Sequence, residues 1–81
     1  MTLREQLLSE LQKQNEIAQE AIKEQEEIIS AEAFARSTIT GGPFSSTARS
    51  ACDSRMQAAS TQKNRLQQEN AWISEMLSKY R

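Results

Sequence analysis

Histidine and valine are absent from this 81-residue chain, and cysteine, aspartate, proline, tryptophan and tyrosine occur once each. Without histidine there is no imidazole to act as a base near neutral pH, and the common zinc and haem ligand sets cannot be assembled. The lone Cys52 cannot close an internal disulfide, and it fits a reducing, cytoplasmic setting. No apolar run exceeds three residues, as at Ala71-Trp72-Ile73, so neither a signal peptide nor direct membrane insertion is expected. Charge of one sign is lacking too. Ten basic against 11 acidic side chains give a net charge of −1, which argues against a nucleic-acid arm.

Catalysis has little to work with. Cys52 as a nucleophile would need a base, and a small buried residue is the plainer reading. Glu24, Glu26 and Glu27 form an acidic cluster of the kind that usually marks a solvated helix face. Gly41-Gly42 lacks the downstream Gly-Lys-Ser/Thr of a phosphate loop. The expectation is a protein that is not an enzyme and has no cofactor, metal or catalytic residue.

What the chain does have is helix formers: Ala, Glu, Gln, Leu, Lys and Arg dominate. The only Gly/Pro cluster, Gly41-Gly42-Pro43, marks a single break, so the spacing predicts one helical hairpin, with helices over 2–37 and 47–80 and a turn over 38–46. Thr2-Leu3-Arg4-Glu5 matches a capping box at the first helix. Ser45, Ser46 or the later Ser50 can cap the second.

Periodicity supports both helices. Leu8, Asn15, Ile22 and Ile29 repeat every seven residues in the first, interleaved with Leu11, Ala18 and Gln25. In the second, Cys52, Ala59, Leu66, Ile73 and Tyr80 alternate with Arg49, Met56, Lys63, Asn70 and Leu77. Leu7, Ala21 and Ile28 widen the first stripe beyond what one seam needs. Residues 1–40 carry 4 basic and 8 acidic groups, and residues 41–81 carry 6 basic and 3 acidic. Opposite charge and opposed helix dipoles favour antiparallel packing. The predicted fold class is therefore all-α, an antiparallel two-helix coiled-coil hairpin that a dimeric or larger helical bundle could incorporate. A turn centred near Gly42 gives seam partners whose numbers sum to about 84. That register sets Leu7 by Leu77, Leu11 by Ile73, Ala18 by Leu66, Gln25 by Ala59 and Ile28 by Met56. Gln14 falls by Asn70, with Asn15 one step away.

Function then rests on residues the hairpin does not need. Trp72 falls outside the seam, with Met76 one turn on and Arg65 and Lys79 a heptad to either side, the composition of an interface anchor. It could equally fold over the seam edge and shield Ile73. Phe44 and Ile39 either plug the open end of the hairpin or meet a partner. Leu8, Ile22 and Ile29, on the wide stripe, are candidates for self-association. Partners are expected to be another protein, a small GTPase or a helical subunit, or a second copy of the chain, and not nucleic acid.

Three stretches carry a family resemblance: Leu3-Arg-Glu-Gln-Leu-Leu-Ser-Glu-Leu11, Thr40-Gly-Gly-Pro43 and Glu69-Asn-Ala-Trp-Ile-Ser-Glu75. Over nearly its whole length the chain resembles HR1 domains, the antiparallel coiled-coil fingers of Rho-effector kinases and F-BAR actin-assembly adaptors. The resemblance implies binding of a GTP-loaded Rho-family GTPase in actin and membrane-remodelling signalling. The turn (Ile39, Gly41, Pro43, Phe44) and exposed helix surface (Arg65, Trp72, Met76, Lys79) would make the contact. Gly42 stands where the adaptors carry an acidic residue. The stretch Thr47–Thr61 is also richer in small residues than that family, which suits close approach of another helix. A small structural subunit or self-associating scaffold is the alternative reading.

Overall fold

In a computed structural model, which describes residues 2–81, the chain forms α1 (Leu3–Thr38) and α2 (Ser45–Tyr80), joined by a short turn. The helices pack against each other along their length into a rod of 64 × 15 × 13 Å, and the described residues contain no strand. The fold is the all-α helical hairpin that the heptads predict.

Local chemistry explains the ends. The Thr2 hydroxyl accepts a hydrogen bond from the Glu5 amide at 3.2 Å, the hydroxyl half of the expected capping box. At the other end of α1, Ile39 leaves the helix in an extended conformation, and Gly41 and Gly42 follow with φ of +157° and +111°. The second value is open to glycine at little cost and strained for any side chain. α2 then begins at Ser45, earlier than the expected residue 47, and no serine caps it. Phe44 holds the cap position without a side-chain bond. The Ser45 hydroxyl instead donates to the Gly42 carbonyl at 3.0 Å, closing the turn on itself.

The heptad positions become the seam. Leu11 and Ala18 of α1 are buried with Cys52, Ala59, Ile73 and Leu77 of α2. Leu8, Asn15, Ile22, Gln25 and Ile29 of α1 are half-buried, as are Arg49, Met56, Lys63, Leu66, Asn70 and Tyr80 of α2. At the terminal end, Leu11, Ile73 and Leu77 form one apolar cluster with Leu8 and Met76 packed on it.

Register differs from the expectation by about one helical turn over much of the rod. Leu11 does meet Ile73, and Leu77 packs into the same cluster. Towards the turn the partners run later: Glu26 with Lys63, Arg55 with Glu32, and Arg36 with Asp53. The cause lies in the connection. Extended residues after Thr38 carry the chain onward before it reverses, so α2 starts beyond the last turn of α1. The predicted amide layer shifts with it. Gln14 stays exposed and donates to Glu10 Oε1 at 3.2 Å, while Asn15 and Asn70 occupy the seam with their side-chain oxygens buried and unpaired.

Candidate protein-interaction surface

Seam geometry leaves two long flanks, and they differ in chemistry. One flank is polar. Gln12, Gln19 and Glu26 lie along α1, and Asp53, Ser60, Gln67 and Ser74 along α2, all exposed. Two ion pairs close over it, Lys63 Nζ to Glu26 Oε1 at 3.3 Å and Arg36 Nε to Asp53 Oδ1 at 2.7 Å. Exposed pairs of this kind contribute little to stability, but they hold the register.

The second flank is apolar. Its centre is a surface hollow of about 460 Å³, lined by Leu11, Gln14, Gln68, Glu69, Trp72 and Ile73. This lining places Gln14 and Trp72 on the same side of the rod. Residues three, four and seven apart share a helix face, so Leu3, Leu7, Ile17, Ala21 and Ile28 continue the Gln14 face along α1. Arg65, Ala58, Met76 and Lys79 continue the Trp72 face along α2. Exposure is high for side chains of this type: 57% for Trp72, 53% for Ile17 and 85% for Leu3. Leu7 and Ile28 are each about two-fifths exposed.

The sequence-predicted residues divide by place. Trp72 lines the hollow beside Ile73 and leaves more than half its surface open. Arg65 and Lys79 are exposed on the same flank, and the Lys79 ammonium lies 5.6 Å from the Tyr80 ring centre. Met76 is half-buried and packs on the Leu11–Ile73–Leu77 cluster. Leu8, Ile22 and Ile29 are half-buried along the seam, so the apolar surplus of α1 lies beside it, one residue from Leu8 and Ile29 at Leu7 and Ile28, and further round the helix at Ile17. A single residue turns the helix face by about 100°, which is why neighbouring leucines and isoleucines divide so sharply. Ile17, an apolar residue that the sequence offers for burial, is instead exposed, repeating the Leu3 face two heptads later.

The turn end is separate from this flank. Phe44 does not plug it: the ring is 77% exposed. Ile39, half-buried, closes the end instead, and its carbonyl accepts from Arg49 Nη2 at 3.1 Å. Gly41 and Pro43 are exposed beside Phe44.

Below the turn, polar chemistry enters the seam. Arg55 Nε donates to Glu32 Oε1 at 2.7 Å, and Arg55 Nη2 lies 3.7 Å from the buried Cys52 sulfur. The bond from Arg55 holds the Glu32 carboxyl below its ordinary value, overcoming the upward push of desolvation, and Cys52 assists. Glu32 raises the Arg55 pKa in return, by the same hydrogen bond first and by charge second. Arginine and glutamate that stabilise each other's charged forms make a structural clasp. Among the described residues no group of three or more His, Cys, Asp or Glu could hold a metal ion, and no helix is long and apolar enough to cross a membrane. Set against known proteins, the chain matches no family model, no curated protein and no solved structure, so the hairpin and its apolar flank are what bear on its role.

Proposed function

We propose that this chain is a non-enzymatic coiled-coil protein–protein interaction module that docks a helical partner side-on along its apolar flank. The observation that carries this reading is the alignment of Trp72, Ile17, Leu3, Leu7 and Ile28 on one side of a rod whose other side is polar. Trp and Met beside Arg form the usual core of a protein interface, and the small Ala58, Ala31 and Ala35 let a helix approach closely. An apolar dye such as bis-ANS tests whether the flank is open. Dilute protein should bind it, and Ile17→Glu with Trp72→Ser should abolish binding while leaving helical circular dichroism unchanged. Equal loss of helicity in that variant would make the flank part of the hairpin's own fold and overturn the reading.

A second reading draws on the turn. The exposed Phe44 next to Pro43 supports a contact at the tip of the finger, where HR1-like domains would meet a Rho-family GTPase. Titration with such a GTPase loaded with a GTP analogue, and again with GDP, separates the two. Binding that requires the GTP form and is lost on Phe44→Ala supports a tip contact; binding to neither form removes it.

A further inference from the structure

We propose that the partner on the apolar flank is a second copy of this chain, seated face to face with both turns at the same end to give a four-helix bundle. The inference rests on the side-on docking reading above and names its occupant. The argument begins with register. Glu26–Lys63 and Arg36–Asp53 set which residues of α1 and α2 lie at similar height along the rod, to within about one helical turn given the reach of these side chains. Two residues out from Glu26 and Lys63, Glu24 is level with Arg65. One heptad to either side, Ile17 is level with Trp72 and Ala31 with Ala58, and one heptad further Glu10 is level with Lys79. All eight are exposed. Among the described residues neither Glu10–Lys79 nor Glu24–Arg65 is bridged within the chain.

A two-fold axis parallel to the rod sets α1 of one copy over α2 of the other and keeps every height unchanged. Acid then faces base at Glu10–Lys79 and Glu24–Arg65, apolar faces apolar at Ile17–Trp72, and small faces small at Ala31–Ala58. The arrangement is self-complementary, as a two-fold interface requires. The opposite choice, with turns at opposite ends, would press the acidic α1 against its own copy and set Glu10 and Glu24 apart from Arg65 and Lys79. Size also suits a pair. A face 64 Å long and 15 Å wide offers on the order of 900 Å² per copy, close to the roughly 800 Å² per partner of stable interfaces.

The test uses the full chain. Sedimentation equilibrium should report a dimer, and Ile17→Glu should weaken it at least tenfold with helicity retained. Glu24→Arg alone should weaken pairing about three- to tenfold over its two symmetric contacts, and adding Arg65→Glu should restore it. A spin label at Thr40→Cys in a Cys52→Ala background reads the orientation. Same-end packing brings the labels within about 30 Å, a few helix diameters. Opposite ends would separate them by nearly the 64 Å of the rod. A dimer with distant labels, or a double swap that fails to rescue, overturns the arrangement. A monomer at high micromolar concentration that still binds bis-ANS overturns self-pairing and leaves the docking reading intact. A monomer that binds no dye removes both.

Discussion

On one flank of the hairpin Gln12, Gln19 and Glu26 run beside Asp53, Ser60, Gln67 and Ser74; on the other, Leu7, Ile17 and Ile28 run beside Ala58, Trp72 and Met76. Both flanks come from the same helices, the same heptads and the same seam. The polar flank is finished: its charges meet in Glu26–Lys63 and Arg36–Asp53, and water covers the rest. The apolar flank is not. Its largest side chains stay open to solvent, and its charges at Glu10, Glu24, Arg65 and Lys79 form no ion pair within the chain among the described residues. A helix face that stability alone had shaped would resemble the polar side. The contrast separates what the hairpin needs to fold from what it presents.

Substitutions graded by place sharpen that contrast. The largest effect belongs to the seam that both flanks share. Leu77→Ala removes a buried side chain from the Leu11–Ile73 cluster and should lower unfolding free energy by about 2–5 kcal/mol in a urea titration. Next comes the apolar flank. Ile17→Glu should change the stability of the isolated hairpin by no more than about 0.5 kcal/mol, while association falls at least tenfold. A smaller, pH-dependent effect belongs to the clasp near the turn. Glu32 is more acidic in the folded chain than in the unfolded one, so its contribution is complete above about pH 4.5. That contribution is lost as pH falls through the lower, folded value. Thermal scans from neutral to acid pH should show this loss, and Glu32→Gln should flatten it. Smallest of all, Gln19→Ala on the polar flank should move neither stability nor association beyond measurement error. An association defect there equal to that of Ile17→Glu would erase the distinction between flanks.

Much of the fold is written plainly in the heptads. Leu11, Ala18, Cys52, Ala59, Ile73 and Leu77 are buried where the seven-residue repeat places them, because only a residue returning to the same face can stay covered along a rod. Register was less legible. Seam residues in this chain recur at similar sizes every turn, so a shift of one turn still matches apolar with apolar. The deciding feature is the extended exit at Ile39, a backbone property with no side-chain signature. The start of α2 was hidden for a related reason: a run of serines and threonines offers several caps, and the Gly42–Ser45 turn makes them unnecessary. The candidate surface was half visible. Trp72, Arg65 and Lys79 stand out as large or charged residues beside a seam. Ile17 does not, because Glu10 and Glu24 interrupt its stripe and disguise the repeat as a solvated face. Only the paired heights of the two helices give those glutamates a role.

One measurement reaches the central claim, that the Ile17–Trp72 flank is a docking face and not part of the hairpin's own fold. Thermal unfolding of the intact chain and of Ile17→Glu should be followed across a wide range of protein concentration. If the flank pairs with a second copy, mass action raises the wild-type Tm with concentration, the variant's Tm stays level, and the two meet on dilution. A variant lower by the same amount at every concentration would instead place Ile17 within the fold and contradict the claim.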